Sequence, residues 1–278
     1  MGVLNVTPDS FSDGGRYLDP SRAVDRALAM VADGADVIDV GGESTRPGAE
    51  AVPLKEEVRR LMPVVRRLAK AARVPISIDT SKAEVARQAI EAGARMINDV
   101  TALRGDLAMA AVVARSNVDV ILMHMRGTPR TMQQRPRYRD VVEEVAAFLV
   151  DAAERAQQAG IARRRIWLDP GLGFGKTVRH NLELLNGLER SASLGYPIVV
   201  GPSRKSFLGK IVRADVEARL AGTLACVAAA VARGARMVRV HDVRETVQLL
   251  KVLEAIEKGK VTTSYYGLRH TEKPDDGY

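Results

Sequence analysis

The sequence predicts an α/β protein that folds as a single-domain (β/α)8 TIM barrel. The chain has 278 residues, and a barrel of this kind takes about 250 residues as one domain. Short apolar runs rich in β-branched residues alternate with amphipathic stretches at a spacing of roughly 30 residues, which is typical of strand–helix units. The runs are apolar almost throughout, as parallel strands covered by helices are. A doubly wound open sheet is the alternative, but the first strand–helix turn lacks the GxGxxG pattern of that fold.

Eight apolar runs predict the strands of the barrel, in the order 3–6, 37–40, 76–79, 96–100, 118–124, 166–169, 198–201 and 237–241. Amphipathic patterns between these runs predict helices that include 21–33, 54–72, 83–92, 138–159 and 216–233. The barrel domain is expected to span residues 1–258. Residues 259–278 are polar and lack periodicity, so we expect them to form a disordered tail.

Composition and charge narrow the class of function. Hydrophobic residues make up 46% of the chain and aromatic residues only 4%, so the core is expected to be mainly aliphatic. The net charge of +8 favours anionic small substrates over nucleic acid. The basic residues are spread along predicted helix faces, without the interleaved aromatic side chains that stack on bases.

The sequence shows no sign of export or membrane insertion. Its N-terminus has neither the basic nor the long apolar region of a signal peptide. The longest apolar stretch, 220–232, is shorter than the roughly 20 residues that span a bilayer. The single cysteine, Cys226, lies in an apolar run and is predicted to be a small buried hydrophobe. We therefore expect a soluble, cytoplasmic protein.

Residues 169–176, with the sequence DPGLGFGK, form the most informative loop. A carboxylate at the end of a predicted strand is followed by three glycines, which permit sharp turns and close approach to a ligand, and then by a lysine. Nearly every other predicted strand also ends in polar residues. Because the carboxyl ends of all strands of a TIM barrel meet at one mouth, where active sites lie, this layout predicts an enzyme.

The residue types at the mouth indicate the kind of ligand. Asp79, Asn98 and Asp169 would lie deep, where an unpaired charge is costly, and they could pair with the N–H groups of a planar heterocycle while Lys205 meets a ring carbonyl or nitrogen. Salt bridges that close the top of the barrel are the alternative. At the rim, Arg239, His241 and Asn5 suit a phosphate group, and barrels often bind phosphate after strands seven and eight.

Taken together, these strand-end motifs resemble those of the dihydropteroate synthase family. They are NVTPDSFSDG from residue 5, GESTRPG from 42, IDT from 78, ND at 98, DPG with GFGK from 169, SRKS from 203 and RVHD from 239. The resemblance runs in order from residue 1 to about 258. It implies a barrel enzyme that condenses 6-hydroxymethyl-7,8-dihydropterin diphosphate with p-aminobenzoate, giving 7,8-dihydropteroate and diphosphate in folate biosynthesis.

The resemblance also implies roles for individual residues. The pterin would be held by Asp79, Asn98, Met123, Asp169, Phe174 and Lys205. The diphosphate would be held by Asn5, Thr45, Arg46, Arg239 and His241, and Asn5 would also bind Mg²⁺. Phe11, Pro47 and Ser206 would contact p-aminobenzoate. Catalysis would involve Lys205, Arg239 and His241. Asp13, on the first loop, is our own hypothesis for a further catalytic residue that orients the amine or accepts its proton, the alternative being a residue that forms an Asx-turn. Members of the family are commonly homodimers.

Two other functions remain open at this level. Pterin-binding methyltransferase barrels also recognise a pterin with carboxylate and amide groups, but they do not need the pair Arg239 and His241. A non-catalytic pterin-binding paralogue would not need the loops for a second substrate.

Overall fold

The computed structural model describes residues 1–7, 19–44 and 48–259. Its eight strands form one parallel sheet, in which each strand pairs with the next along the chain. They are β1 (Gly2–Asn5), β2 (Ile38–Gly41), β3 (Ile76–Asp79), β4 (Met96–Asp99), β5 (Asp119–Met123), β6 (Ile166–Asp169), β7 (Ile198–Val200) and β8 (Ala235–Val238).

The sheet closes on itself between its last and first strands. Beyond β8, the backbone N–H of Val240 donates to the carbonyl of Met1 at 3.0 Å, and the N–H of Val3 donates to the carbonyl of Val240 at 2.9 Å. The N-terminal amine adds a hydrogen bond to the carbonyl of Val238 at 3.0 Å. The (β/α)8 barrel predicted from the sequence is therefore confirmed.

Helices cover the outside of the barrel. They are α1 (Pro20–Ala32), α2 (Leu54–Ala71), α3 (Ala83–Glu91), α4 (Met109–Ser116), α5 (Val141–Gln158), α6 (Val178–Asn186), α7 (Leu188–Ala192), α8 (Ser206–Val212), α9 (Leu220–Ala232) and α10 (Val243–Lys258). Short 3-10 turns lie at Arg163–Arg165 and Val216–Ala218.

Local sequence explains where several helices begin. Asp19 precedes Pro20 and accepts a hydrogen bond from the N–H of Ser21, so it caps α1. Asp140 caps α5 by accepting from Val142 and Glu143. That cap explains why α5 begins three residues later than the predicted helix at 138.

Side chains along each strand point alternately outward and inward, which gives the protein two apolar layers. Outward side chains such as Ile76 and Ile78 pack under the helices in the main core. Met96, Ile121 and Val199 form a smaller cluster, which lies inside the barrel because the same alternation turns these positions inward. Toward the carboxyl ends, polar residues replace apolar ones at the inward positions, so the fold itself places polar groups at the mouth.

Some sequence predictions need adjustment. β8 begins at Ala235, two residues before the predicted start, because a bulge at Arg236 of β8 lets Ala235 pair with Ile198 while Met237 pairs with Val199. The predicted helix at 216–233 is a 3-10 turn followed by α9. Cys226 is half-buried against the core rather than fully buried. Within the described residues, no helix has the length and apolar character to cross a membrane.

Candidate active site

The carboxyl ends of the strands surround a pocket with about 310 Å³ of space between atoms, part of it open to solvent. Its wall is formed by Asp79, Asn98, Val100, Met123, Asp169, Gly171, Leu172, Phe174, Gly201, Lys205 and Arg239. All six residues that the sequence analysis assigned to a pterin are among them, and their roles in binding stay predictions. The wall combines carboxylates, an amide and cations with the apolar surfaces of methionine and phenylalanine, which suits a planar polar ligand.

Arg239 lies between two carboxylates deep in this pocket. Its Nε donates to Asp39 Oδ2 at 2.6 Å and its Nη2 donates to Asp79 Oδ2 at 2.8 Å. Asn98 Nδ2 donates to the same Asp39 oxygen at 3.2 Å. The sequence analysis expected Arg239 at the rim, but its long side chain turns inward to these acids, so the alternative of salt bridges at the barrel top holds in part.

Asp39 is a functional candidate that the sequence analysis missed. It is fully buried and contacts both Arg239 and Asn98. The signal was present: a carboxylate stands within the apolar run 37–40, at a position that alternation turns into the barrel. A charge in that position needs a partner from across the barrel, which here is the guanidinium of Arg239.

Two buried carboxylate oxygens have no hydrogen-bond partner among the described residues, Asp39 Oδ1 and Asp79 Oδ1. Of the two residues, Asp79 lines the pocket. Such atoms are costly unless a donor reaches them. Burial raises the pKa of Asp79 to about 7, with the charge of Asp39 adding to the rise and Arg239 opposing it. One guanidinium is shared between two carboxylates here, so it does not offset the burial of Asp79. The carboxyl of Asp79 therefore holds its proton more tightly than it would in water.

Asp169 ends β6 at the opposite side of the pocket wall. Its Oδ1 accepts a hydrogen bond from the backbone N–H of Gly171 at 2.7 Å. Burial raises the pKa of Asp169, while this hydrogen bond and the positive charge of Lys205 oppose the rise. A carboxylate has about four acceptor sites, so Asp169 keeps capacity for a ligand in the pocket.

The loop that follows, residues 170–175, packs tightly on the end of β5. Gly171 has φ +68°, and a Cβ placed on it would stand 1.9 Å from the carbonyl oxygen of His124. No other residue fits such a close approach in this backbone conformation. The loop carries Phe174, and Lys205 Nζ lies 4.1 Å from the centroid of its ring, a cation–π contact at the pocket wall.

Lys176 closes this loop from inside the protein. Only 3% of the residue is exposed. Its Nζ lies 2.9 Å from His124 Nδ1 and donates to the carbonyls of Gly171 at 2.9 Å and Phe174 at 3.0 Å. Burial lowers the pKa of Lys176 to about 7, and burial, with the charge of Lys176, lowers that of His124 to about 2. The sequence analysis noted this lysine only as a cation at the end of the loop.

His241 stands after β8, at the rim of the barrel. Its backbone N–H donates to Ser203 Oγ at 3.2 Å, and its Nδ1 lies 2.9 Å from the same oxygen, so the ring is held beside the loop after β7. Ser206 begins α8 and is exposed. Asn5 ends β1, and its amide oxygen and Asp79 Oδ2 both lie within 4 Å of where a Cβ of Gly41 would stand.

Five residues of the predicted site lie outside the described residues. They are Phe11, Asp13, Thr45, Arg46 and Pro47. Their assignments to the diphosphate, to p-aminobenzoate and to proton transfer therefore stay predictions from the sequence. The predicted tail at 259–278 also lies outside the described residues, apart from Gly259.

A larger groove, enclosing about 1050 Å³, adjoins the pocket and shares Asp79 and Val100 with it. Its edge includes Glu43, at the base of the loop after β2. Lys82 bridges Glu43 and the fully buried Glu57, and Glu57 also accepts from Thr80 Oγ1 at 2.7 Å. The sequence analysis did not find this network, which fixes the base of that loop.

In the described part of the chain, the barrel mouth offers few protein oxygen atoms to a magnesium ion. Among the residues that the structure describes, no group of three or more histidine, cysteine, aspartate or glutamate side chains is arranged to hold a metal ion. The amide oxygen of Asn5 beside Asp79 is a hard donor of the type that Mg²⁺ prefers, and Mg²⁺ commonly takes one or two protein ligands together with substrate phosphates. The residues therefore suit an ion bound mainly through a diphosphate.

Comparison with known proteins agrees with this geometry. Residues 1–241 match the model of the family described as "Pterin binding enzyme". The chain is 47% identical to dihydropteroate synthase of Escherichia coli (strain K12) over 265 residues, covering 95% of this chain and 94% of the other. It is 49% identical to dihydropteroate synthase of Mycobacterium leprae (strain TN) over 262 residues, covering 92% of each chain.

Solved structures give the same result. Xanthomonas albilineans dihydropteroate synthase with 4-aminobenzoic acid superimposes with a TM-score of 0.87 at 48% identity, covering 92% of each chain. The Yersinia pestis dihydropteroate synthase in a sulfonamide drug complex gives a TM-score of 0.88 at 43% identity, covering 92% of this chain and 93% of the other. With the eight-stranded barrel and the pocket of acids at its mouth, these similarities show that the chain belongs to the dihydropteroate synthase family of pterin-binding enzymes.

Proposed function

We propose that this protein is a transferase that condenses 6-hydroxymethyl-7,8-dihydropterin diphosphate with p-aminobenzoate, releasing 7,8-dihydropteroate and diphosphate. The observation that carries the proposal is the pocket that gathers Asp79, Asn98, Asp169 and Lys205 at the mouth of the barrel. A solved relative from Xanthomonas albilineans is a complex with 7,8-dihydropteroate, at 45% identity and a TM-score of 0.83. The reaction belongs to folate biosynthesis.

The pterin ring is proposed to bind edge-on to the acids. Its amidine-like edge presents adjacent N–H groups to Asp169, and the amide of Asn98 supplies a donor and an acceptor to the ring. The partnerless Oδ1 of Asp79 is satisfied by a ring donor. Met123 and Phe174 cover the ring faces, and Lys205, held over Phe174, reaches a ring carbonyl or nitrogen.

The diphosphate is proposed to lie above this ring, toward Asn5, Arg239 and His241. Arg239 contacts Asp39 and Asp79 in the structure, so diphosphate binding adds to these contacts or replaces part of them. Thr45 and Arg46 complete the set in the prediction from the sequence. Asn5 would hold Mg²⁺ together with the diphosphate, and the bound ion would supply charge neutralisation to the leaving group.

The chemistry exchanges a C–O bond for a C–N bond. The C–O bond breaks with its electron pair leaving on the diphosphate, whose charge Arg239 and His241 stabilise. The carbon left behind shares its positive charge with the pterin ring, beside the carboxylates of Asp79 and Asp169. The lone pair of the arylamine forms the C–N bond, and its nitrogen then loses one proton. Asp13 is the proposed acceptor of that proton.

The second substrate is proposed to enter from the rim. Ser206, exposed at the start of α8, offers a hydroxyl and the first backbone N–H groups of that turn. Phe11 and Pro47 are the apolar partners of the benzoate ring in the prediction from the sequence. This arrangement places the amine next to the carbon from which diphosphate departs.

Two further features are part of the proposal. The enzyme acts as a homodimer in the cytoplasm, and the catalytic unit is residues 1–258. Apolar side chains of α8 and α10 support a dimer surface, since Ile211 and Val212 are each 48% exposed, Val252 is 57% exposed and Ile256 is 72% exposed. Size-exclusion chromatography with light scattering measures the mass directly, and a monomer at micromolar concentration would contradict the dimer.

The activity is tested by mixing pterin diphosphate, p-aminobenzoate and Mg²⁺ with the protein and measuring both diphosphate and dihydropteroate. We expect equal amounts of the two products, and loss of both with Asp169→Ala. Asp25→Ala, which removes an exposed carboxylate on α1, is the matched control and should keep wild-type rates. Pterin binding without turnover would favour a non-catalytic paralogue, methyl transfer would favour the methyltransferase barrels, and no pterin binding would refute the site.

A further inference from the structure

Lys176 is buried at the back of the proposed pterin pocket and does not line it. Its ammonium group has three N–H donors, and three acceptors lie at 2.9 to 3.0 Å: His124 Nδ1, the carbonyl of Gly171 and the carbonyl of Phe174. The carbonyl of His124 lies farther away, at 3.5 Å. Each of the three donors therefore has a close acceptor. A buried lysine with this many fixed partners is uncommon, because burial of a charged amine without them is costly.

The partners of Lys176 come from two separate segments. Gly171 and Phe174 belong to the loop after β6, whereas His124 follows β5. The imidazole of His124 is itself fixed by an edge contact with the ring of Phe148, with centroids 4.8 Å apart. Burial, with the charge of Lys176, keeps the pKa of His124 far below neutrality, so the imidazole is neutral. An ammonium group can only donate, so this contact assigns the ring proton to Nε2 and makes Nδ1 the acceptor. The lysine thus ties the loop to the end of the neighbouring strand.

The tied loop carries one wall of the pocket. Phe174 lies in the loop, and its ring supports Lys205 Nζ at 4.1 Å. Tyr138 donates to the carbonyl of Gly175 at 2.9 Å, so a neighbouring carbonyl of the same loop is also bound, but by a neutral donor from outside. A connected series of contacts runs from the Lys176 ammonium, through the Phe174 carbonyl and ring, to the ammonium of Lys205, which lines the pocket.

We infer that Lys176, together with His124, is a positioning residue that sets the place of Phe174 and Lys205 and thereby the affinity of the site for the pterin. It touches no substrate. The inference rests on the proposed function, since it assumes that the pocket binds the pterin diphosphate. A displacement of about 1 Å in a binding group can lower catalytic efficiency by about 100-fold, so loss of this tether should be visible in kinetics.

Lys176→Met tests the inference, because methionine has a similar length and volume but neither charge nor donors. We expect the KM for the pterin diphosphate to rise by about 10- to 100-fold, and the KM for p-aminobenzoate to stay within about twofold. The dissociation constant of 6-hydroxymethylpterin, measured by fluorescence or calorimetry, should rise in parallel. Tyr138→Phe, which removes a neutral donor from the same loop, should give a smaller rise.

A purely structural role would give a different pattern. Leu188→Ala truncates a buried side chain of α7, away from the pocket, and lowers the melting temperature without touching the loop. If Lys176→Met and Leu188→Ala both lower the melting temperature but leave the KM for the pterin unchanged in the folded protein, Lys176 only supports the fold and the inference is overturned. A large rise in KM for the pterin in Lys176→Met alone supports it.

A second variant covers the case in which Lys176→Met does not fold. His124→Phe keeps an aromatic ring but removes the imidazole acceptor, so the lysine is left with backbone carbonyls only and a rise of several-fold in the KM for the pterin is expected. An unchanged KM in folded His124→Phe would then overturn the inference. Wild-type protein without synthase activity or pterin binding would instead refute the proposed function, so the two failures are distinguishable.

Discussion

Replacing Asp79 by asparagine should remove a loss of stability that the substrate-free wild-type protein suffers as the pH rises. The unfolding free energy of the variant, relative to that of the wild type, should therefore increase with pH. Burial raises the pKa of this carboxyl from 3.8 to about 7 in the folded protein, whereas the unfolded chain keeps an ordinary value. Between these two values the unfolded state is ionised and the folded state holds the proton. A group with a raised acidic pKa therefore contributes stability at low pH and loses it as the pH rises toward 7.

The size of the effect follows from the two pKa values. Each unit of difference corresponds to about 1.4 kcal/mol, so between pH 5 and pH 8 the wild type should lose about 2.5 kcal/mol of unfolding free energy relative to Asp79→Asn. Asparagine does not titrate, so the variant lacks this loss. The loss of the Arg239 contact adds an offset that is nearly constant with pH, and therefore the slope carries the information.

Urea unfolding of both proteins at pH 5, 6, 7 and 8, with EDTA and without substrates, measures the difference. Ser77→Ala, another buried polar position of β3, is the control, because neither serine nor alanine titrates in this range. A difference between Asp79→Asn and wild type that does not change from pH 5 to pH 8 would refute the reasoning. The same variant should bind the pterin about 10- to 100-fold more weakly, since it loses a charged acceptor. Stability relative to wild type that rises with pH, together with weaker pterin binding, is the expected trade at a functional site.

Three other perturbations have defined outcomes. Lys82→Met leaves the fully buried Glu57 without its cation and should lower the unfolding free energy by about 3 kcal/mol in urea denaturation; a change below about 0.5 kcal/mol would contradict this. Gly171→Ala forces a Cβ to within 1.9 Å of the His124 carbonyl oxygen at φ +68°, so the loop must move. Titration of this variant with 6-hydroxymethylpterin should show no binding. Wild-type affinity would show that the loop can shift without harm to the pocket. Chelation by EDTA should abolish turnover and leave binding of 6-hydroxymethylpterin intact, because the proposed ion is held through the diphosphate; turnover that survives EDTA would contradict the magnesium assignment.

The sequence predicted the barrel and the location of the pocket because both depend on repeating patterns. Strand ends in a parallel barrel share one mouth, so Asp169 and Asn98 could be placed there from strand positions alone. Contacts between segments that are distant in sequence do not follow from such patterns. Asp39 was missed because it stands inside an apolar run, and only the closed barrel brings Arg239, 200 residues later, against it.

Side-chain direction also escaped sequence reasoning. The sequence put Arg239 near the rim, but a long flexible side chain can reach inward, and the buried acids decide its direction. Lys176 was singled out only as the cation at the end of the glycine loop, and in the structure it turns away from the pocket into a cluster of backbone carbonyls. Neither outcome follows from spacing, because each depends on which acceptors the folded chain leaves unsatisfied.

The loop of residues 170–175 has a consequence for how this protein can change over generations. Its shape depends on backbone carbonyls and on glycines packed against the end of β5, so most exchanges in it would damage the fold before they altered ligand choice. The pterin side of the pocket is therefore expected to tolerate little drift. New ligand preferences, or resistance to a competing compound, should arise at positions whose side chains project from the rim, where a substitution leaves the barrel intact.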